Sequence, residues 1–377
     1  MAVFKIGTSH GMRQTLIEQE LFRDTVVNSV FLNTFAPQAA KDWLNGTGWK
    51  GNVYEGVPNS VVHVKANLGL RGQGRGVTKG DKETFGLAAR IDPKVHPGVT
   101  GDKRAKGTEI DGTVYTDSVT LQRYRMPISG GDYMTWQRAG FNVDALTKGL
   151  ITTWGQEKMD LLCLEALEDT TTISEIMYKT GDDPANYVSS NSSLSTAKTA
   201  LSLANSKITP KFISYLKAWA LTGGGRTGGK CPIRPVMYKG RPYYIVLVHS
   251  DAVFDWKHDS TYFQAAREAE VRGAENPIFT GSDYIMDGMV IFICEQITKG
   301  TDGGGASVPW CWGHLLGAQA LLWTWGENPS IVADEDDDYA EQVNYCWRMT
   351  TAVKAPYFNS KRYGSLSFLV SRTNISG

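Results

Sequence analysis

Three short patterns in this 377-residue chain place chemistry-bearing residues at spacings that some catalytic or binding sites use. "GGGRTGGKC" sets Gly224, Gly229 and Lys230 at phosphate-loop spacing. Cys231 stands where a magnesium-binding hydroxyl belongs, and Pro232 where the following helix should begin. Gly7, Ser9 and Gly11 satisfy the nucleophile-elbow pattern. That elbow needs a buried strand before it, which the few residues ahead of Gly7 can hardly supply. Asp334, Asp336 and Asp338 alternate like the start of a calcium loop. Tyr339 then takes the glycine position and Tyr345 the bidentate glutamate position, so a calcium-binding hand is excluded, and a solvated acidic loop outweighs a loose surface cation site. The six histidines include no H-x-x-x-H pair, and His63 and His249, inside strand-like runs, read as packed or edge residues. No catalytic set, cofactor site or metal site is expected.

Cys163, Cys231, Cys294, Cys311 and Cys346 are widely separated with no C-x-x-C pair. A zinc site or disulfide framework has no support, and a reducing compartment fits. Lys and Arg total 39 against 39 Asp and Glu; zero net charge argues against a protein whose main task is gripping nucleic acid. The N-terminus lacks a long apolar core, and no window approaches the roughly 18 continuous apolar residues of a membrane span. Neither export nor membrane insertion is expected. At this length two or three subdomains are the prior.

Leu16, Ile17, Leu21, Val26, Val27 and Val30 predict a helix over about 14–32, broken by Pro37 and "NGTGWKGN". From Val61 to Met126 short strands alternate with glycine and charge. The clearest helix runs from about 143 to 168, with Asn142 as a cap and Val143, Leu146, Leu150, Ile151, Trp154, Leu161, Leu162 and Leu164 at helical spacing. Its length would be about 39 Å at 1.5 Å per residue, with a bend plausible at Gly155. Residues 169–194, rich in Ser, Thr, Asn and Asp, carry a linker signature. Short helices follow from Ser195 and from Thr209–Pro210. Trp310, Trp312, Trp323 and Trp325 crowd sixteen residues, the density of a core. "VNYCWRMTTAV" and "GSLSFLVSR" read as strands.

The stretch from Pro242 to Asp287 organises the rest. Tyr243 to Val248 reads as a buried strand, Ser250 or Asp251 could cap a helix behind it, and a second helix from about Ser260 ends at Gly273. "YYIVLVHSDAVFDWK", "RGAENPIFTG", "DGMVI" and "LLGAQALL" follow in that order. In this the chain resembles the tailed-bacteriophage major capsid proteins of the N-four-like podophage type, a branch of the Hong Kong 97-type viral capsid fold. The resemblance is strongest over about 234–326. It implies an α+β architecture with an N-terminal arm (1–60), an extended loop hairpin, or E-loop (61–112), a peripheral domain (113–194 and 336–377) carrying the spine helix 143–168, and an axial domain (195–335). The implied function is a self-assembling icosahedral shell around the double-stranded DNA of a tailed phage. An encapsulin-like protein compartment of the same fold is the alternative.

The resemblance implies partners as well: copies of the chain in hexamers and pentamers, a portal, a scaffold, cement or decoration proteins, and non-specific contact with packaged DNA. Localisation would be the virion, after assembly in the host cytoplasm, and no enzyme activity is implied. Periodicity alone would leave 14–32 as an ordinary packing helix instead of an arm.

Residues 61–106 hold ten Lys or Arg against four acids. Such a polar stretch cannot form a core and needs a partner surface. Residues 327–341 hold seven acids and no base. The basic loop of one subunit, with Arg71, Arg75, Lys79 and Lys82, is expected near an acidic surface of another, with Asp334, Asp336, Asp337 and Asp338 as its candidates. Repulsion of DNA is a competing account of the acids, and nucleic-acid contact a competing account of the loop. The glycine-rich stretches 69–76 and 222–229 are candidates for absorbing differences between five- and sixfold rings.

Overall fold

The computed structural model describes residues 61–65, 82–88, 98–101, 106, 108–109, 114–140, 143–173, 176–181, 187–191, 193–222, 233–238, 241–258, 285–304, 307–334, 342–358 and 361–373. The expected arm, most of the expected extended loop, the glycine-rich 223–232 stretch and the "RGAENPIFTG" corner with the helix expected before it lie outside these residues.

Two sheets and one long helix carry the body. The smaller sheet orders β1 (Val61–Lys65), β13 (Leu321–Asp334), β14 (Gln342–Lys354) and β4 (Gln122–Asp132), antiparallel except for β1 on β13. A two-stranded hairpin of β2 (Lys82–Ala88) and β3 (Val114–Thr120) precedes β4. The larger sheet runs β6 (Tyr187–Asn191), β5 (Ile176–Lys179), β17 (Ser365–Ser371), β12 (Val308–Leu316), β8 (Arg241–Val248), β10 (Met289–Ile293) and β9 (Ile285–Met286). β7 (Val236–Tyr238) pairs with β8, and β11 (Lys299–Gly303) with β12. A small hairpin, β15 (Tyr357–Phe358) and β16 (Lys361–Arg362), links β14 to β17.

Strand character follows burial. Tyr244 to Val248 are all buried between β12 and β10, which is why this stretch reads as an unbroken apolar run and not as an alternating one. β4 alternates: Tyr124, Met126 and Ile128 pack on the core while Arg123, Arg125, Pro127 and Ser129 are exposed, the pattern of a half-buried strand. β13 shifts register between Trp325 and Glu327 and between Glu327 and Ser330, and these bulges accommodate Pro329, which cannot donate to a ladder. The four tryptophans at 310, 312, 323 and 325 are buried, as their density predicts.

Helices α1 (Tyr133–Arg138), α2 (Val143–Glu168), α3 (Leu194–Thr199), α4 (Pro210–Thr222) and α5 (Ser250–Lys257) complete the described body. The spine helix α2 has the predicted bounds, and of its apolar positions Ile151, Leu162 and Leu164 turn inward. Thr147, Ile151, Gly155, Met159, Leu162 and Cys163 are buried, whereas Leu146, Leu150 and Leu161 are exposed. Gly155 explains the choice. A Cβ there would lie 2.8 Å from Trp347 Nε1, so the helix closes on β14 only because this residue has no side chain. Trp154 meets the same ring edge-on, 5.1 Å between centroids. Gly155 is therefore a packing device in this helix.

Two further expectations change. His249 caps α5, its Nδ1 accepting from the Asp251 N–H at 3.1 Å, in place of Ser250 or Asp251. The 169–194 stretch is no simple linker, because Ile176, Met177 and Tyr178 are buried in β5 and β6 pairs beside it.

Candidate assembly surfaces

The polar clusters inside the body tie elements together. At the C-terminal end of α2, Arg362 donates to the carbonyls of Leu167 (2.6 Å), Ala166 (3.2 Å) and Asp169 (3.0 Å), and to Thr172 Oγ1 (2.5 Å). These are the carbonyls a helix end leaves unpaired, and a cation suits the negative pole of the helix. Burial pushes the Arg362 guanidinium down to about 10, with Asp169 and Tyr357 opposing.

Beside it, fully buried His314 stands 3.1 Å from Ser367 Oγ through Nδ1 and 3.8 Å from Glu168 Oε1 through Nε2. The three residue types are those of a hydrolytic triad, but Ser367 is itself buried and its hydroxyl lies 3.4 Å from the Leu167 carbonyl. A nucleophile must reach substrate; this hydroxyl faces protein. Burial holds the His314 imidazole below its ordinary range, against the opposing pull of Glu168. For Glu168 burial acts upward, yet the His314 interaction and the Thr298 N–H bond at 3.0 Å outweigh it and hold the carboxyl low. The cluster joins helix, β12 and β17.

A second cluster clamps the C-terminal segment. Arg372 pairs with Asp251, both buried, and its Nε reaches the Trp310 carbonyl at 3.3 Å. Asp255 accepts from Thr373 N–H (2.7 Å), Thr373 Oγ1 (2.6 Å) and Lys207 Nζ (2.8 Å). His249 Nε2 lies 3.2 Å from Glu295, and burial lowers the His249 imidazole, with Asp251 and Glu295 opposing. Among the described residues no group of three or more His, Cys, Asp or Glu is arranged to hold a metal ion.

The β2–β3 hairpin stands on the smaller sheet through both an apolar and a charged root. Phe85, Val119 and Leu121 pack with Leu322, Ala352 and Phe358, and Phe85 meets Phe358 edge-on at 5.6 Å. Lys354 Nζ reaches Asp117 Oδ1 at 2.6 Å and the Ser118 carbonyl at 3.0 Å, while the Tyr357 N–H reaches Asp117 Oδ2 at 3.1 Å. A hairpin this short would be marginal alone; this root fixes where it leaves the body.

Of the loop cations singled out from sequence, Lys82 is exposed at the first position of β2, opposite Thr120. Arg71, Arg75 and Lys79 lie outside the described residues, as do Asp336, Asp337 and Asp338. Asp334 is the last residue of β13, its backbone in register with Asn344. The contact expected between these two charged sets joins different subunits and lies outside the described residues. Sequence reading passed over Asp117 and Arg362, and over the exposed Arg123 and Arg125. The first two sat in stretches read as strand and turn, and the arginines' alternation with Tyr124 and Met126 was the available signal.

Comparison with known proteins gives the arrangement its context. The fold is that of the capsid of Ralstonia phage GP4 (TM-score 0.66, 16% identity, covering 85% of this chain and 90% of that one). The Helicobacter pylori bacteriophage KHP30 capsid matches at a TM-score of 0.60 with 11% identity, over 86% of this chain and 92% of that one. The cyanophage Pam1 capsid matches at 0.59 with 18% identity, over 78% and 85%. No curated protein matches in sequence. At these identities the structures establish the α+β fold of Hong Kong 97 type. The phage capsid protein family model matches residues 71–361, more than half of the chain, and on that span this chain belongs to the phage capsid protein family.

Proposed function

We propose that the chain is the major capsid protein of a tailed bacteriophage, repeated in an icosahedral shell around double-stranded DNA, with the N-four-like podophage branch as its narrower assignment. The observation that carries this reading is the capsid family match over 71–361, on a body whose described polar clusters are spent on internal ties. No described helix is long and apolar enough to cross a membrane.

Mechanism in such a protein is collective. Each subunit lends the same surfaces to five- and sixfold rings through head-to-tail contacts that close by rotation. The hairpin root sets the direction in which the extended loop (61–112) departs toward a neighbour. The smaller sheet with α2 forms the core of the peripheral domain. The larger sheet supplies the axial domain (195–335), with β5, β6 and β17 entering it from outside that range and β13 leaving it for the smaller sheet, and residues 1–60 serve as an arm. Arg71, Arg75, Lys79 and Lys82 are contact candidates on the loop; Asp334, Asp336, Asp337 and Asp338 are contact candidates in the acidic 334–341 stretch. Portal, scaffold and decoration proteins, non-specific DNA contact and assembly in the host cytoplasm belong to the same reading, as does the absence of catalysis.

The test is to treat native particles carrying this chain with nuclease and then open them. Release of protected DNA is the expected result. Release of cargo protein without nucleic acid would assign the shell to an encapsulin-like compartment.

A further inference from the structure

The outer face of the smaller sheet, opposite α2, is electrically polar, and the strand register lays it out in rows. Glu327, Thr350 and Arg123 align across β13, β14 and β4; Ser330, Arg348 and Arg125 form the next row; Val332, Cys346 and Pro127 the next; and Asp334, Asn344 and Ser129 the last. Side-chain bonds within the first two rows place their members on one face. Arg348 Nε lies 3.0 Å from Ser330 Oγ and 3.2 Å from Glu327 Oε1, and Thr350 Oγ1 lies 3.2 Å from Glu327 Oε2. Tyr124, Met126, Ile128, Tyr345, Trp347 and Met349 fill the opposite face against the core.

One end of this face is therefore basic. Arg125 stands directly opposite Arg348, a like-charged cross-strand pair that disfavours the ladder unless an anion offsets it. Glu327 offsets Arg348. Arg123 and Arg125 are exposed, and among the described residues neither has an ion-pair partner. Four residues along β14, roughly 14 Å away at 3.4 Å per residue, the sheet reaches Asp334 and the start of the acidic 334–341 stretch. Edge protection explains one charge and Pro127 on an outer strand. It does not explain two adjacent arginines set against a third.

We propose that the Arg123–Arg125–Arg348 face receives the acidic 334–341 stretch of a second copy of this chain, a head-to-tail contact. A basic face and an acidic stretch on one chain can pair between copies related by rotation, and heterologous contacts of this kind close rings. A polyanion such as DNA would meet Glu327 within the same rows as well as the arginines, which disfavours it as the occupant. The proposal rests on the shell-forming reading and names the cations that the acidic stretch meets, in competition with those of the extended loop.

A charge-swap cycle tests it. Particle yield is measured by sedimentation for the unmodified chain, for R123E/R125E, for D334K/D336K/D337K/D338K, and for the two sets combined. Like-charge juxtaposition costs several kcal/mol at an interface, so each set alone should lower yield by about tenfold or more, and the combination should restore most of it. Circular dichroism and melting temperature confirm folding of each variant. Where R123E/R125E fails to fold, R123Q/R125Q substitutes, and a flattened salt dependence of assembly is expected. Normal yield from R123E/R125E overturns the proposal, and if those shells also lose packaged DNA the face belongs to nucleic acid. Rescue of the acid reversal by R71E/R75E/K79E/K82E but not by R123E/R125E overturns it in favour of the loop. Absence of particles from the unmodified chain overturns both this contact and the shell reading beneath it.

Discussion

Gly155 is where one missing side chain decides how an element packs. Replacing a mid-helix glycine by alanine normally favours the helix by up to roughly 1 kcal/mol. Here the new methyl would stand 2.8 Å from Trp347 Nε1, and overpacking of a rigid ring costs about 1–3 kcal/mol. Gly155→Ala should therefore lower the melting temperature, and a rise would show that the helix can shift away from β14. Arg362→Met would strip the end of α2 of its bonds to three carbonyls, a loss on the order of 3 kcal/mol that calorimetry would record. The two buried histidines set a pH dependence. His249 and His314 are both held below the ordinary histidine range by burial, so the folded chain binds fewer protons than the unfolded one. Their stabilising effect is complete above the unfolded value near 6.5 and falls away as pH drops below it. Melting temperature should decline from pH 7 to pH 5, and His314→Gln should shrink that decline; an equal decline in the variant would place the proton uptake elsewhere. Of these roles only the packed position of His249 was legible in sequence. A glycine, an arginine in a turn and a histidine in a strand acquire them only from residues distant in the chain.

At the scale of elements, bounds were more legible than faces. The 143–168 helix has the bounds its periodicity predicts, because 26 residues of strong spacing leave little freedom. The face it buries is legible only in part: Ile151, Leu162 and Leu164 are core, whereas Leu146, Leu150 and Leu161 are exposed and the neutral-looking Thr147 and Gly155 are buried. β8 and the tryptophan-rich pair β12 and β13 were legible because burial on both sides writes an unbroken apolar signal. β5 and β6 were hidden by their Ser- and Thr-rich surroundings. The hairpin root is a further case: Asp117 is unremarkable until Lys354 and the Tyr357 N–H converge on it. Asp117→Ala should leave the body folded and loosen the hairpin, seen as faster amide exchange at Phe85–Leu87 with little change elsewhere. Unchanged exchange there would show that the Phe85–Phe358 contact suffices alone.

For the molecule as a whole, the described residues show two sheets braced by one helix, and the charge that balances to zero over the chain is separated within it. Residues 61–106 are strongly basic and 327–341 strongly acidic. Neutralising Asp334, Asp336, Asp337 and Asp338 should slow assembly and reduce its salt sensitivity, whichever cations they meet; unchanged kinetics across a salt series would remove the acids from the interface. Leu146, Leu150 and Met134 remain exposed on the single chain, apolar surface of the kind a subunit keeps for its assembly. The most direct measurement is electron microscopy with sedimentation of the purified chain at high concentration. The account predicts closed shells built from five- and sixfold rings. A stable, compact monomer at every concentration and salt, with its extended loop folded onto its own body, would contradict it.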